Sequence, residues 1–292
     1  MASQDELFNA LVSRLDNLAE RMEAIFGPES AVSLDDSVLA YRWRSIKGRG
    51  VLQPVKAPHR IAMEDLVGVS RQAEILNFNT QQFLRGLPCN NALLWGARGT
   101  GKSSLVKAML HRYADEGLRL VEVDAHDLID LPSVVEPLVD REERYVLFVD
   151  DLSFEADDPS YRTLKAALDG SVAVAPENVL IYATSNRRHI VPEYQADNEQ
   201  TRLVGGELHH GEAVEEKVSL SERFGIWLSF HPFSQDLYLE AVTHWLDVYG
   251  GFKLDEEARG EALKWALTRG NRSGRVAAQF ARDWAGRQQL PA

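Results

Sequence analysis

The sequence predicts an α/β protein, a parallel sheet flanked by helices, followed by a small all-helical unit. Three observations carry that reading. A glycine-rich stretch, Gly96-Ala97-Arg98-Gly99-Thr100-Gly101-Lys102-Ser103, matches G-x-x-x-x-G-K-[ST] and lies between a short apolar run and a helical one. Further apolar runs of strand length end in acidic or amide residues and alternate with helical segments, the pattern of buried parallel strands. From Ser234 onward the alternation stops, and three helical segments follow.

Composition sets the outer bounds. A chain of 292 residues holds one large α/β domain or two smaller ones, and an apolar content of 45% is ordinary for a globular core. The net charge of −12 repels a polyphosphate backbone over most of the surface, so nucleic acid is the less favoured partner. Cys89 is the single cysteine, which excludes an internal disulfide and suggests no cysteine-based metal site. With no basic-then-apolar leader and no apolar run of membrane-span length, the expectation is a cytoplasmic protein without a membrane partner.

Taken in order, residues 5–26 read as a helix with Leu11, Leu15, Leu18, Met22 and Ile25 on a coiled-coil-like seam, stopped by Gly27-Pro28. The seam suits either a helix folded back on the main domain or an oligomer or partner contact. Residues 27–60 read as a linker. Within it, Tyr41-Arg42-Trp43-Arg44 is a basic-aromatic cluster that anchors the linker or stacks on bases. The division is therefore helix and linker over 1–58, an α/β domain over 59–233, and a helical domain over 234–292.

Met63 to Val69 precedes a helix from about Ser70 to Leu84, and Val67-Gly68 would set apolar atoms against a nucleotide base. Asn91 to Trp95 is the strand that enters the glycine-rich loop. Glycines let the loop backbone curl its N–H groups toward phosphate oxygens, and the helix start adds partial positive charge. Gly96 through Ser104 form the phosphate set: Lys102 would reach the β- and γ-phosphates and Ser103 would hold Mg²⁺. Leu118 to Asp124 is a second strand. Tyr145 to Asp151 is a third that delivers Asp150, a Mg²⁺ holder through water, and Asp151, which would polarise the attacking water. A helix over 157–170 leads to a strand from Asn178 to Asn186, whose terminal amide suits positioning a water beside a γ-phosphate. Residues 190–217 are acidic and without periodicity, a solvated loop. Ile226 to Phe230 is a fifth strand. Helices over 235–249, 255–269 and 273–286 close the chain, with Trp245, Leu263, Trp265, Leu267, Phe280 and Trp284 as their core.

The ordered set of the glycine-rich loop Gly96 to Ser103, Asp150-Asp151, Asn186, Ser221-Glu222-Arg223-Phe224 and Gly270-Asn271-Arg272 resembles the AAA+ ATPases over about residues 60–286. It is most similar to a bacterial AAA+ group catalogued only as a domain of unknown function. The resemblance implies a P-loop NTPase three-layer sandwich with a five-stranded parallel sheet in order 5-1-4-3-2, a helical lid beside the nucleotide, ATP and Mg²⁺ as ligands, and a homo-oligomer with shared ATP sites. It implies that Arg223 acts in trans as an arginine finger and Arg272 contacts the γ-phosphate in cis, with Arg275 the alternative. Two departures qualify it. Asp151 stands where most members carry glutamate, one methylene longer, and Ala125-His126-Asp127-Leu128 replaces the aromatic-glycine pore loop of threading motors. The expected function is Mg²⁺-dependent ATP hydrolysis that remodels an unidentified protein client. A nucleotide switch with negligible turnover and a nucleic-acid-remodelling loader are the alternatives. No guanine-reading Asn/Thr-Lys-x-Asp follows the fourth strand.

Overall fold

The chain divides into two compact units, Met1–Asp35 and Asp36–Ala292. The computed structural model describes Arg14 and residues 34–46, 49–154, 159–168, 176–186, 202–204, 207–209, 220 and 222–290. The expected helix over 5–26 lies outside the described residues apart from Arg14, which is helical.

The second unit is built on a seven-stranded sheet. Its strands are β1 (Ala40–Ile46), β2 (Arg49–Pro54), β3 (Ala92–Gly96), β4 (Leu118–Glu122), β5 (Arg144–Val149), β6 (Val179–Ser185) and β7 (Ile226–Phe230), in the order β2-β1-β4-β5-β6-β3-β7. Every neighbouring pair is parallel except the β1–β2 hairpin. The five expected strands therefore form the larger part of the sheet, and the count of five is corrected to seven. The added pair comes from the stretch read as linker. In β1 the alternation of a strand buries Tyr41 and Trp43 and turns Arg42 and Arg44 to the other face. Arg42 lies directly opposite Glu122 and pairs with it at 2.6 Å, and Arg44 stands 3.9 Å from Asp124. The basic-aromatic cluster is thus consumed by sheet pairing. Sequence reading took the alternation of Tyr41-Arg42-Trp43-Arg44 for a basic-aromatic cluster and so missed the hairpin.

The helices α1 (Ser70–Leu84), α2 (Lys102–Tyr113) and α3 (Pro159–Leu168) accompany the sheet. Leu76 and Phe83 of α1 and Leu105 and Met109 of α2 pack with Leu94, Phe148, Tyr182 and Phe230 in the main core. Burial pushes the Tyr182 phenol up to about 12, and its hydroxyl joins α1 to β6 through Asn79 and Thr80. Two short strands, Arg202–Val204 and Glu207–His209, pair antiparallel within the stretch expected to be a solvated loop.

Three helices follow: α4 (Gln235–Val248), α5 (Glu256–Thr268) and α6 (Gly274–Gln289). Each starts at a side-chain cap, Ser234, Asp255 and Ser273, that accepts a backbone N–H of the first turn. Tyr238, Leu246, Ala262 and Phe280 form their core. Leu267, expected in that core, is 83% exposed. The inward face of α5 is drawn by Ala258, Ala262 and Ala266 at helical spacing, which leaves the neighbouring Leu267 outside. Among the described residues no helix is long and apolar enough to cross a membrane.

Candidate functional site

The strand order reverses at β3: its neighbours β6 and β7 come later in the chain, and β4 lies three places away. Open parallel sheets bind ligands at the carboxyl ends of strands beside such a switch point. The glycine-rich loop, the two acids and Asn186 all follow strands that end there.

The loop is held by its glycines. A Cβ on Gly96 would sit 2.0 Å from the Phe230 carbonyl oxygen, the same oxygen that accepts the Ala97 N–H at 3.0 Å. A Cβ on Gly99, whose φ is +77°, would meet the Ser273 hydroxyl at 2.8 Å. The loop is thus pressed between β7 and the start of α6, and only glycine fits both contacts. Thr100 Oγ1 closes the turn by donating to the Ala97 carbonyl at 2.8 Å. Helix α2 begins at Lys102, so its unpartnered N-terminal N–H groups border the loop.

Lys102 is only 6% exposed. Its Nζ donates to the Gly96 and Ala97 carbonyls at 2.8 and 2.7 Å and to Asn186 Oδ1 at 3.2 Å. Burial pulls its pKa below that of a free lysine. Asp151 and Asp150 oppose the shift, and Arg98 and Arg275 add to it.

Strand β5 delivers the acids. Asp150 Oδ1 accepts two hydroxyls, Ser103 Oγ and Thr184 Oγ1, each at 2.6 Å. Asp151 has a φ of +55° and is the one non-glycine with positive φ among the described residues. Its N–H donates to Thr184 Oγ1 at 2.9 Å. Its carboxylate accepts from the Asn186 amide and stands 3.9 Å from the Arg98 guanidinium. Asn186 therefore links Lys102 to Asp151.

These groups open onto a cavity of about 730 Å³, a size that suits a nucleotide. Arg98 through Ser104, Asp150, Asp151, Asn186, Val67 and Arg275 line it. Five expected ligand-site residues do not. Gly96 and Ala97 lie beneath the loop, where their carbonyls hold Lys102. Gly68 takes a positive φ that lets the chain press against Leu237 of α4. Arg272 is exposed and away from the lining, because it precedes the cap Ser273 and so lies before the first turn of α6. Arg275 is in that turn, lines the cavity, and donates its N–H to the Gly99 carbonyl at 3.3 Å. Arg223, in the turn before β7, is half-buried and outside this chain's own lining.

The structure adds residues that the sequence did not reveal. Ala241 and Trp245 of α4 and Tyr249 at its C-cap, at spacing i, i+4, i+8, also line the cavity. Trp245 and Tyr249 stack with centroids 5.5 Å apart, and Arg282 lies 5.5 Å over the Tyr249 ring. That spacing reads equally as a core stripe, which is how Trp245 was read. A hydrogen bond from His244 Nε2 to Asp65 Oδ1 at 3.0 Å ties α4 to the turn before Val67. Thr184, in a strand that ends Thr184-Ser185, also lines the cavity and carried no signal of its own.

The donor set tests whether Mg²⁺ fits. It is all oxygen, a hydroxyl and a carboxylate already in contact, which suits a hard cation. With its hydrogen given to Asp150, the Ser103 hydroxyl keeps its lone pairs for a metal.

The profile of a family described as "Protein of unknown function (DUF815)" matches residues 36–288. The chain belongs to the DUF815 family. No curated protein matches this DUF815 sequence. Among solved structures it is similar to Orc1 of Aeropyrum pernix, determined in complex with DNA, at 16% identity and a TM-score of 0.53 over 77% of this chain. The match spans 62% of Orc1's own length. Variants of RuvB from Thermotoga maritima match at 12% identity over 75% of this chain, covering 70% and 71% of RuvB, with TM-scores of 0.42 and 0.44. The DUF815 chain resembles the AAA+ P-loop ATPases in fold.

Proposed function

We propose that the protein binds MgATP in the cavity and hydrolyses it, using the change to move α4–α6 and so remodel an unidentified protein client. The observation that supports this best is the meeting of Lys102, Ser103, Asp150, Asp151 and Asn186 at one switch point of the sheet. Loop N–H groups and Lys102 would hold the β- and γ-phosphates, with Val67 against the base. Ser103 and Asp150 would hold Mg²⁺, which when bound offsets charge on the phosphate oxygens. Asp151 and the Asn186 amide would orient a water in line with the γ-phosphorus. The water oxygen would bond to that phosphorus as its proton passes to the Asp151 carboxylate, the bond from the phosphorus to the bridging oxygen would break with its electron pair staying on ADP, and ADP and phosphate would leave. Arg223 of a neighbouring copy would stabilise the charge that develops, in a homo-oligomer with shared sites.

Comparing phosphate release by the parent and Asp151→Asn tests hydrolysis against a nucleotide switch. We expect release to fall about 100-fold in the variant, the lower end of the usual effect of a catalytic base. Equal rates would favour the switch, which the short Asp151 side chain motivates. The cis arginine is tested in parallel. Arg275→Ala should weaken MgATP binding about tenfold, the loss of one charge-assisted contact, and Arg272→Ala should stay within about twofold. The reverse ranking would return the role to Arg272. A nucleic-acid role is less favoured. The net charge is −12, and the basic-aromatic cluster that motivated it packs into the sheet edge. No salt-sensitive binding to single-stranded DNA or RNA is expected at low salt.

A further inference from the structure

We propose that Thr184 is the positioning residue that sets both acids at the end of β5. The proposal rests on the MgATP reading of the cavity and adds to it Thr184, which lies in the lining and whose hydroxyl is engaged by the two acids. Thr184 is 1% exposed, in the middle of the sheet, opposite Leu94 of β3. Along β6 it follows the apolar Leu180, Ile181 and Ala183 and precedes Ser185, which is also buried. Valine has the same shape and suits a buried strand at least as well, so packing alone gives no reason for a hydroxyl.

The hydroxyl both donates and accepts. It has one hydrogen and gives it to Asp150 Oδ1 at 2.6 Å. A lone pair accepts the Asp151 N–H at 2.9 Å. The Thr184 carbonyl accepts the Leu152 N–H at 2.6 Å. Three successive residues after β5 are thereby fastened to one residue of β6.

Two consequences follow for the acids. Asp150 Oδ1 is held between the Ser103 and Thr184 hydroxyls, which fixes its rotamer and leaves Oδ2 without a donor among the described residues. That oxygen is the one available to a cation's water shell. Asp151 keeps a left-handed backbone that an L side chain adopts rarely, and the bond from its N–H to Thr184 holds it there. The same turn brings its carboxylate to Asn186. A single hydroxyl thus couples the metal-holding acid to the water-orienting one.

The test measures ATP affinity of the full chain in Mg²⁺ and in EDTA, together with the Mg²⁺ concentration at half-saturation, for the parent, Thr184→Val and Thr184→Ser. Thr184→Val should raise the half-saturating Mg²⁺ concentration about tenfold, the lower end of effects seen when a group supporting a metal ligand is lost. Its affinity in EDTA should stay within about twofold of the parent, and Thr184→Ser should recover the parent's Mg²⁺ response. If Thr184→Val does not fold, Thr184→Ala is read the same way. A Thr184→Val protein with the parent's Mg²⁺ response overturns the proposal, as does equal loss of affinity in Mg²⁺ and in EDTA. A parent that binds ATP no better with Mg²⁺ overturns the metal reading itself, and the proposal with it. The parent measurement alone separates the two failures.

Discussion

Replacing Lys102 with alanine is expected to weaken MgATP binding at least about 100-fold, equivalent to about 2.7 kcal/mol. The loss is large because the ammonium is nearly enclosed and already sits 2.7 to 2.8 Å from the loop carbonyls, so it reaches phosphate from a fixed position. Binding isotherms for the parent and the variant measure it, with thermal unfolding as the control for folding. Unchanged affinity would remove the phosphate role of the loop. The direction of the Lys102 pKa adds a second signature. A phosphate oxygen needs the protonated amine, and burial lowers the pH at which that proton leaves. Affinity should therefore hold at neutral pH and decline as the pH rises through the lowered value, before the 10.5 of a free lysine. Lys102→Ala should lack that decline.

The second large effect is expected at Arg223. Its replacement by alanine should cut turnover about 1000-fold while leaving MgATP affinity unchanged, the range of an arginine finger. Arg223 does not line the cavity of its own chain, so a role in hydrolysis requires a second copy. Specific activity of the parent should then rise with protein concentration, and mixing Arg223→Ala with Lys102→Ala should restore part of it. In the mixture, an intact nucleotide site on one copy meets an intact arginine on the other. Activity independent of concentration, together with a fully active Arg223→Ala, would leave Arg223 an ordinary residue of the turn before β7.

What was legible in the sequence was chemistry whose geometry is local. Gly96 to Ser103 is a contiguous motif, and its spacing alone places Lys102 and Ser103 on the first turn of α2. Asp150-Asp151 and Asn186 were legible because long apolar runs lead into them, although β6 carries the buried Thr184 and Ser185 before Asn186. The three closing helices were legible from their periodicity and their glycine breaks, within a few residues at each end. The β1–β2 hairpin was not. Whether Tyr41 and Trp43 are buried depends on their strand pairing with β4, eighty residues later in the chain.

The sequence by itself determined the glycine-rich loop, the strands that carry the acids and the helical character of the C-terminal segment, because each follows from neighbouring residues and the period of their pattern. Tertiary structure alone decided which arginine of α6 meets the loop, that Trp245 and Tyr249 line the cavity wall, and that Thr184 holds both acids. Those are contacts between elements far apart in the chain. A side chain on a helix or strand shows its spacing in the sequence, but the partner it faces is set by how the elements pack.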